Sequence, residues 1–226
     1  MDINSELSYL VMSLGLHSFG CAPVPAYGSA PCGHRPDDIL PGAKSVVTFT
    51  YRLNSGPLDY LPRTRNQYNL EFAVANQILS QAAYKIARLL EDRGHTSIGI
   101  GPEADMGDLK RLKADFSHKH SAVICGLGTF GLNNLLLIKK IGPRVRLASV
   151  ITAAELKYSV PIKESNCLNC GECVSRCPSG ALSRWENNYS PETGWVIDKE
   201  RCAHYIFIVN EGKKCGICVA ACPVDK

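Results

Sequence analysis

Eight of the eleven cysteines lie within the last 60 residues, and seven of them follow a regular spacing. Four have the pattern C-x2-C-x2-C-x3-C followed by proline, and the last three repeat the end of that pattern, again before a proline. The eight are Cys167, Cys170, Cys173, Cys177, Cys202, Cys215, Cys218 and Cys222. Such a run is typical of bacterial ferredoxins, in which three closely spaced thiolates bind one cubane and the fourth cysteine reaches the neighbouring cluster. The spacing therefore predicts two [4Fe-4S] clusters.

The pattern also predicts which thiolates share a cluster. The first cluster takes Cys167, Cys170, Cys173 and the distant Cys222. The second takes Cys177, Cys215 and Cys218, and it lacks a fourth thiolate because regular spacing places Gly212 at that point. Cys202 is the free thiol nearby, and we assign it because lengthening a loop costs little entropy. Disulfides and structural zinc are the alternatives, and the Cys-Pro endings and lack of a secretory signal disfavour them.

The length and charge of the chain limit its class. A chain of 226 residues suggests a large domain and a small one. We expect an α/β cofactor-binding domain at 1–155 and a two-cluster ferredoxin-like domain at 156–226. The N-terminus does not resemble a signal peptide and no apolar stretch approaches ~18 residues, so we expect a cytoplasmic protein of an anaerobic environment, with no membrane partner. The formal charge is +4, but ligand thiolates and cores of about +2 each bring the total near zero, which makes nucleic-acid binding unlikely.

Apolar periodicity and the positions of glycine and proline predict the elements of the first domain. They indicate helices at 3–14 and 68–93, strands at 43–53 and 95–100, a Pro/Gly-rich loop at 22–43, and two strands within 135–152 around a Gly142–Pro143 turn. Alternating helices and strands of this kind predict an α/β (α+β) fold to about residue 155.

The segment GLGTFG at 126–131 satisfies the motif G-x-G-x-x-G. A strand at 121–125 before it, and Glu155 as the ribose-binding acid, would make a nicotinamide or flavin dinucleotide site. A glycine turn with no ligand is a second alternative. The motif alone does not discriminate between them.

A longer segment carries a family resemblance. Residues 117–152, the eight-cysteine module and its Cys202-x-x-Tyr205 element together resemble the epoxyqueuosine reductase family, whose architecture reductive dehalogenases share. The segment GAKSVVTF at 42–49 and Tyr68 near the start of a long helix also fit. The resemblance implies a nitroreductase-like first domain that holds a corrinoid (cobalamin) against the first cluster, with FMN as the lesser alternative. The glycine loop would then contact the corrinoid through Gly126, Leu127, Gly128, Thr129, Phe130 and Gly131.

The chain departs from the family pattern in two places. Family members carry an aspartate that resembles the proton donor, in a segment upstream of the glycine loop. Ungapped counting places Leu112 in that slot, with Asp115 three residues further on. Members also carry a helical-repeat tail and a basic surface for tRNA, whereas this sequence ends at Lys226. We therefore do not expect action on tRNA.

Several polar residues near the loop are candidates for chemistry. His118, Asp115 and Tyr68 are the candidate catalytic residues, because histidine titrates near neutrality and the wider family uses tyrosine as a proton donor. Ser117, His118 and Arg144 are candidate corrinoid contacts, with Arg144 and Arg146 expected on one strand face. The alternatives are a solvated helix start capped by Ser117, a solvated strand face, and tyrosine packing. The remaining thiols, Cys21, Cys32 and Cys125, are predicted to be bystanders.

These inferences together predict an iron–sulfur oxidoreductase. Electrons from a low-potential donor, ferredoxin or flavodoxin-like, would enter at the second cluster, pass to the first and reach the corrinoid. The substrate would be a small molecule or a corrinoid protein. Two alternatives stay open, namely an electron-transfer partner without a cofactor of its own and a reductive activator of a separate corrinoid protein.

Overall fold

The computed structural model describes residues 2–102, 112, 114–183 and 188–224. It contains two compact units that are discontinuous in sequence. The first unit comprises Met1–Arg52, Ala75–Leu127 and Arg146–Pro161, and the second comprises Leu53–Val74, Gly128–Val145 and Ile162–Lys226. The predicted sequence domains 1–155 and 156–226 stay a prediction. In the structure, two stretches of the expected first domain, 53–74 and 128–145, belong to the same compact unit as the cysteine module.

The first unit is built on a four-stranded sheet with the order β1-β2-β6-β3. Its strands are β1 (Ser18–Pro23), β2 (Ser45–Arg52), β3 (Ser97–Ile100) and β6 (Val145–Thr152). Strand β1 pairs antiparallel with β2, placing Ser18 opposite Thr50, and β3 pairs antiparallel with β6, placing Ser97 opposite Thr152. The predicted strands at 43–53 and 95–100 are confirmed, since β-branched residues pack well on a pleated surface.

Helices cover this sheet through their apolar faces. Helix α1 (Ile3–Ser13) begins after Asp2, whose carboxylate accepts hydrogen bonds from the backbone of Asn4 and Ser5. Its residues Leu7 and Val11 are buried with the apolar face of α4 (Arg65–Glu91), at Leu79, Ala82, Ala83, Ile86 and Leu90. Both helices were predicted from their spacing, and Gly94, with a φ of +82°, follows α4 as expected of a helix end.

The connections contain more secondary structure than the sequence indicates. The predicted loop at 22–43 contains a 3₁₀ turn (Val24–Tyr27) and helix α2 (Pro36–Ile39), and α3 (Ser55–Asp59) follows β2. Helix α5 (His118–Ile124) precedes β4 (Thr129–Phe130), which pairs antiparallel with β5 (Leu136–Leu137). Both strands expected within 135–152 are therefore present, but the first pairs with β4 in a separate two-stranded sheet.

The second unit has short helices around a small apolar cluster. Its C-terminal helices are α6 (Glu172–Ser175), α7 (Lys199–His204), continued by a wider helical turn (Tyr205–Val209), and α8 (Ile217–Ala220). The buried residues of the cluster are Leu132, Cys173, Leu182 and Trp195. The Trp195 indole donates to the backbone oxygen of Leu132 at 3.1 Å. Among the described residues, no helix is both long and apolar enough to cross a membrane.

Candidate iron–sulfur centre

Two turns of the same construction present the cysteines. Gly171 and Gly216, with φ of +74° and +70°, each follow a cysteine and precede a short helix, α6 or α8. These positive φ values are accessible to glycine at little cost. Cys173 lies on α6, and Cys218 lies at the corresponding position on α8. Helices α6 and α8 contact each other, so the chain after each of them lies beside the other run.

The first group contains the four thiols predicted for the first cluster. Cys167, Cys170, Cys173 and Cys222 line one pocket together with apolar residues, including Leu132, Leu137 and Pro223. Burial raises the pKa of Cys173 to about 12, and the nearby negative charges of Cys167, Cys222 and Cys170 add to this. The distant Cys222 therefore lies with the first three cysteines. Cationic iron would offset the repulsion between the four thiolates, so the group fits an iron–sulfur cluster.

The second group contains the four thiols predicted for the second cluster, including Cys202. Burial raises the pKa of Cys218, and the charges of Cys215, Cys202 and Cys177 raise it further. For Cys177, burial acts in the same direction, but hydrogen bonds from Ser179 and the following backbone lower its pKa overall. In the described part of the chain, no three Cys, His, Asp or Glu residues are placed to hold a single metal ion.

Residues at the start of α4 hold the loop of the second group. Arg65 donates from Nη1 to the backbone oxygens of Lys214 and Cys215, at 3.0 and 2.9 Å. Tyr68 is buried, and a Cβ added to Gly216 would lie 2.5 Å from its ring. The structure thus gives Tyr68 a packing role, which was the alternative to proton donation. The sequence pattern did not identify Arg65, because a single arginine at a helix start carries no spacing signal.

Arg144 lies beside the first group and not on a strand. Its side chain is 2% exposed, and Nη2 donates to Asp59 Oδ1 at 2.7 Å. Its positive charge lowers the pKa of Cys222, against a larger opposing effect of burial. Arg146 instead donates to Asn76 Oδ1 at 2.9 Å within the first unit. The expectation that both arginines share one strand face is wrong, because β6 begins at Val145.

The glycine loop does not have the local structure of a dinucleotide site. That site needs a strand before the glycines and a helix after them. Here helix α5 comes before the loop and strand β4 begins inside it. The dinucleotide interpretation and the predicted strand at 121–125 are therefore wrong, because 118–124 is helical.

Protein atoms occupy the space that the loop glycines leave free. A Cβ on Gly126 would overlap the backbone oxygen of Val160, and one on Gly128 would overlap that of Leu137. Gly126 is half-buried and the other five loop residues are buried, and Thr129 Oγ1 accepts from the backbone of Asn166 at 2.9 Å. The glycines thus permit close packing within their own units. This packing accounts for them without a corrinoid, so their role as corrinoid contacts stays a prediction.

His118 is held by hydrogen bonds at both ring nitrogens. Nε2 donates to the backbone oxygen of Gly101 at 2.8 Å, so Nδ1 accepts from the hydroxyl of Ser149 at 2.9 Å. Burial lowers the pKa of His118 to about 4, although the Gly101 carbonyl opposes that shift. The ring is therefore neutral near pH 7. This arrangement favours a structural role over proton donation.

The polar neighbours of His118 form local contacts. Ser117 occupies the N-cap position of α5 without a side-chain cap, and its hydroxyl lies 2.6 Å from His120 Nδ1. Asp115 is exposed, and its backbone oxygen accepts from His34 Nδ1 at 2.9 Å. Leu112, in the slot of the family aspartate, has a φ of +50°, while 103–111 and 113 lie outside the described residues. The catalytic role of Asp115 and the corrinoid-binding role of Ser117 stay predictions.

Of the thiols outside the two groups, Cys21 and Cys125 are buried and Cys32 is exposed. A chain of hydroxyls passes close to Cys125: the Ser121 hydroxyl lies 2.6 Å from both Tyr27 and Thr48, and Thr48 lies 3.0 Å from Ser149. These contacts satisfy buried polar groups inside the first unit. They agree with the bystander interpretation of the thiols.

Comparison with known proteins agrees with the geometry of the cysteine groups. Residues 166–226 match the family model of the 4Fe-4S dicluster domain. A tetrachloroethene reductive dehalogenase of Desulfitobacterium hafniense is 29% identical over 200 residues, which cover 81% of this chain and 33% of that protein. An epoxyqueuosine reductase of Aliivibrio fischeri is 28% identical over 191 residues, which cover 79% of this chain and 45% of that protein. The chain thus spans a third to under a half of these curated relatives.

Solved structures share the fold over nearly the whole chain. A reductive dehalogenase whose structure suggests a mechanism for B12-dependent dehalogenation aligns with a TM-score of 0.74 at 18% identity, over 97% of this chain and 31% of that one. An epoxyqueuosine reductase with an epoxyqueuosine-modified tRNA-Tyr stem loop aligns with a TM-score of 0.64 at 19% identity, over 98% of this chain and 64% of that one. The chain is thus similar to curated reductive dehalogenases and epoxyqueuosine reductases, shares the mixed α/β fold of their solved structures, and has a 4Fe-4S dicluster domain at residues 166–226.

Proposed function

We propose that this chain is an iron–sulfur oxidoreductase that passes electrons through two [4Fe-4S] clusters to a corrinoid. The observation that carries the proposal is the grouping of the eight cysteines in the second unit. The first group combines three thiols of the first run with Cys222 of the second. The second group combines Cys177 of the first run with two thiols of the second run and with Cys202. A two-cubane ferredoxin module requires such exchange between the runs. Such a module carries electrons, so the rest of the protein determines where they go.

The residues around the eight cysteines would contribute to electron transfer in different ways. Eight thiolates would hold the clusters, which supply one-electron transfer when bound. The contact between α6 and α8 keeps the two cysteine groups close together. Arg65 fixes the loop of Cys215 by two hydrogen bonds to its backbone. The apolar cluster that includes Trp195 buries Cys173 and keeps water away from it. An external low-potential donor of the ferredoxin or flavodoxin class would deliver the electrons.

The corrinoid is supported by the relatives. The matched dehalogenase structure is described as B12-dependent, and its fold extends over both units of this chain. The glycine loop adds no separate support, because its residues pack against protein. We infer cobalamin as the cofactor, with FMN as the lesser alternative, and a small molecule or a corrinoid protein as the substrate.

A second candidate function is an electron carrier or a reductive activator of a separate corrinoid protein. The packing of the glycine loop favours it, since the residues expected to approach a cofactor have protein neighbours instead. In that case the second unit would still carry both clusters. The two functions differ only in whether this chain retains a corrinoid of its own.

Anaerobic reconstitution separates these functions. We expect the purified protein, treated with iron and sulfide, to hold eight irons and eight sulfides and to bleach with dithionite. After incubation with hydroxocobalamin or FMN and desalting, we expect one cobalamin per chain and no retained FMN. Retention of neither cofactor would favour the carrier or activator. A protein that retains no iron would overturn the whole proposal.

A matched variant controls for adventitious iron. Cys32 is exposed and belongs to neither group, so Cys32→Ala should bind the same iron and cobalamin as the wild type. Iron that falls with Cys32→Ala would indicate nonspecific thiol binding and would count against the two-cluster assignment.

A further inference from the structure

A buried cation lies beside one of the two cysteine groups. Arg144 has the largest of the fully buried side chains, at 2% exposure, and it lies in the second unit with the cysteine module. A guanidinium cannot lose its proton in a protein, so its charge stays in place at any working pH. Burying that charge is costly unless it is paired. A cation held there at such cost needs an explanation beyond packing.

The backbone around Arg144 fixes its position next to Cys222. Gly142, with a φ of +62°, lies so close to Val224 that an added Cβ would be 2.6 Å from the Val224 backbone oxygen. The backbone oxygen of Arg144 accepts from the amide of Leu53 at 2.9 Å. Segment 142–144 is thus held between the chain that follows Cys222 and the chain that follows β2. Arg144 has little freedom to move away from the cysteine group.

Asp59 compensates part of the guanidinium charge. Asp59 Oδ1 accepts from Arg144 Nη2 at 2.7 Å, and its own side chain is 42% exposed. Water therefore screens the aspartate much more than it screens the arginine. The positive charge of Arg144 is therefore the less screened of the two, and segment 142–144 holds it beside the chain that follows Cys222.

The second group has a different environment. Arg65 of α4 contacts the loop of this group. It is half-buried and donates to two backbone oxygens of the loop. Lys214, directly before Cys215, is half-buried as well, so the cations beside the second group lie on its own loop and on α4. Arg144, by contrast, is a fully buried cation beside the first group.

We propose, on the basis of the proposed function, that Arg144 raises the reduction potential of the cluster held by Cys167, Cys170, Cys173 and Cys222, and that Asp59 limits this increase. The cluster with its four thiolates has a charge of about −2 when oxidised, and reduction adds one electron from the donor and no proton. A nearby buried cation stabilises the more negative reduced form to a greater degree.

Potentiometric titration monitored by electron paramagnetic resonance tests the inference, with dithionite as reductant. Arg144→Met, which keeps the apolar length and removes the charge, should lower the midpoint of the first cluster by about 59 mV or more, a tenfold change in the ratio of reduced to oxidised cluster. Asp59→Asn should raise the same midpoint. Arg144→Lys should restore most of the wild-type value. The midpoint of the second cluster should stay constant in all three.

The controls separate this inference from the proposed function. Arg146→Met removes a neighbouring arginine that is bonded to Asn76 in the first unit, and it should shift neither midpoint. Repeating the titration in a Cys202→Ala background, expected to keep only the first cluster, assigns the signal to that cluster.

If Arg144→Met binds too little iron to titrate, the midpoint of Asp59→Asn decides whether the inference holds. Full iron content with an unchanged first midpoint would overturn the inference and leave the two clusters standing, whereas a wild type without iron would remove both.

Discussion

At the scale of the residue, the structure gives the candidate residues different surroundings. The eight cysteines lie in two groups of four, whereas His118 has both ring nitrogens engaged inside the first unit. From the sequence, both sets were candidates for chemistry. Burial and hydrogen-bond partners distinguish them.

The assignment of Cys202 gives the most direct prediction. Cys202→Ala removes the fourth thiolate of the second group, so we expect the iron content of the reconstituted protein to fall from eight to about four per chain. Iron and sulfide analysis measures this, with Cys32→Ala as the matched control. Eight irons in Cys202→Ala would show that another residue completes the second cluster.

The neutral His118 predicts a pH dependence of stability. Its pKa falls from 6.5 to about 4 on folding, so between those values the unfolded chain binds more protons and the free energy of unfolding rises with pH. The contribution is complete above about pH 6.5 and is lost as the pH falls through 4. At 1.36 kcal/mol per pKa unit it reaches at most about 3 kcal/mol.

Urea unfolding of the wild type and of His118→Gln at pH 5 and 7.5 measures that contribution. The difference between the two proteins cancels the pH dependence of the clusters, and it should be smaller at pH 5 than at pH 7.5. A difference that does not change with pH would show that His118 titrates normally in the folded protein.

At the scale of the element, the glycine loop shows how one motif can occur in two structures. In a dinucleotide fold the glycines follow a strand and open a helix, so that the helix N-terminus faces a phosphate. Here the glycines follow α5 and lead into β4, and their missing side chains leave room for protein backbone. Packing accounts for the glycines in this structure, and their contact with a corrinoid stays a prediction.

Gly126→Ala tests that packing role. The φ of +70° and the overlap with Val160 should together lower the free energy of unfolding by about 2 kcal/mol or more. Gly33→Ala is the matched control, because Gly33 has a φ of +81° with nothing within 4 Å of an added Cβ, and it should cost only about 1 kcal/mol. Urea unfolding without added cobalamin measures both. Equal costs would show that the contact with Val160 is unimportant.

At the scale of the whole molecule, the proposed clusters change the charge that a partner encounters. The sequence has 25 basic and 21 acidic side chains, but two clusters with eight thiolates bring the total close to zero. Affinity for nucleic acid depends strongly on basic charge. The relative crystallised with a tRNA stem loop is longer than this chain, which covers 64% of it.

We therefore expect no tRNA binding by this chain. Fluorescence anisotropy of a labelled tRNA-Tyr anticodon stem loop at 150 mM salt should give a Kd weaker than about 10⁻⁴ M, beyond the usual nonspecific range. A labelled single strand of equal length serves as the control. Submicromolar binding that prefers the stem loop would make tRNA the substrate class to consider.

The sequence by itself determined the dicluster domain and the main elements, and it predicted the cluster ligands. Cysteine spacing is a local property that must match the geometry of a cubane, and α1, α4, β2 and β3 follow from apolar periodicity over a few turns or pleats. The tertiary structure alone decided the environment of those ligands. Arg65, Asp59 and Arg144 come from segments remote from the cysteines in sequence, and no local pattern records which remote side chain folding places beside a ligand. The same reason explains why the glycine motif was ambiguous, since only the folded chain shows what occupies the space where a side chain is missing.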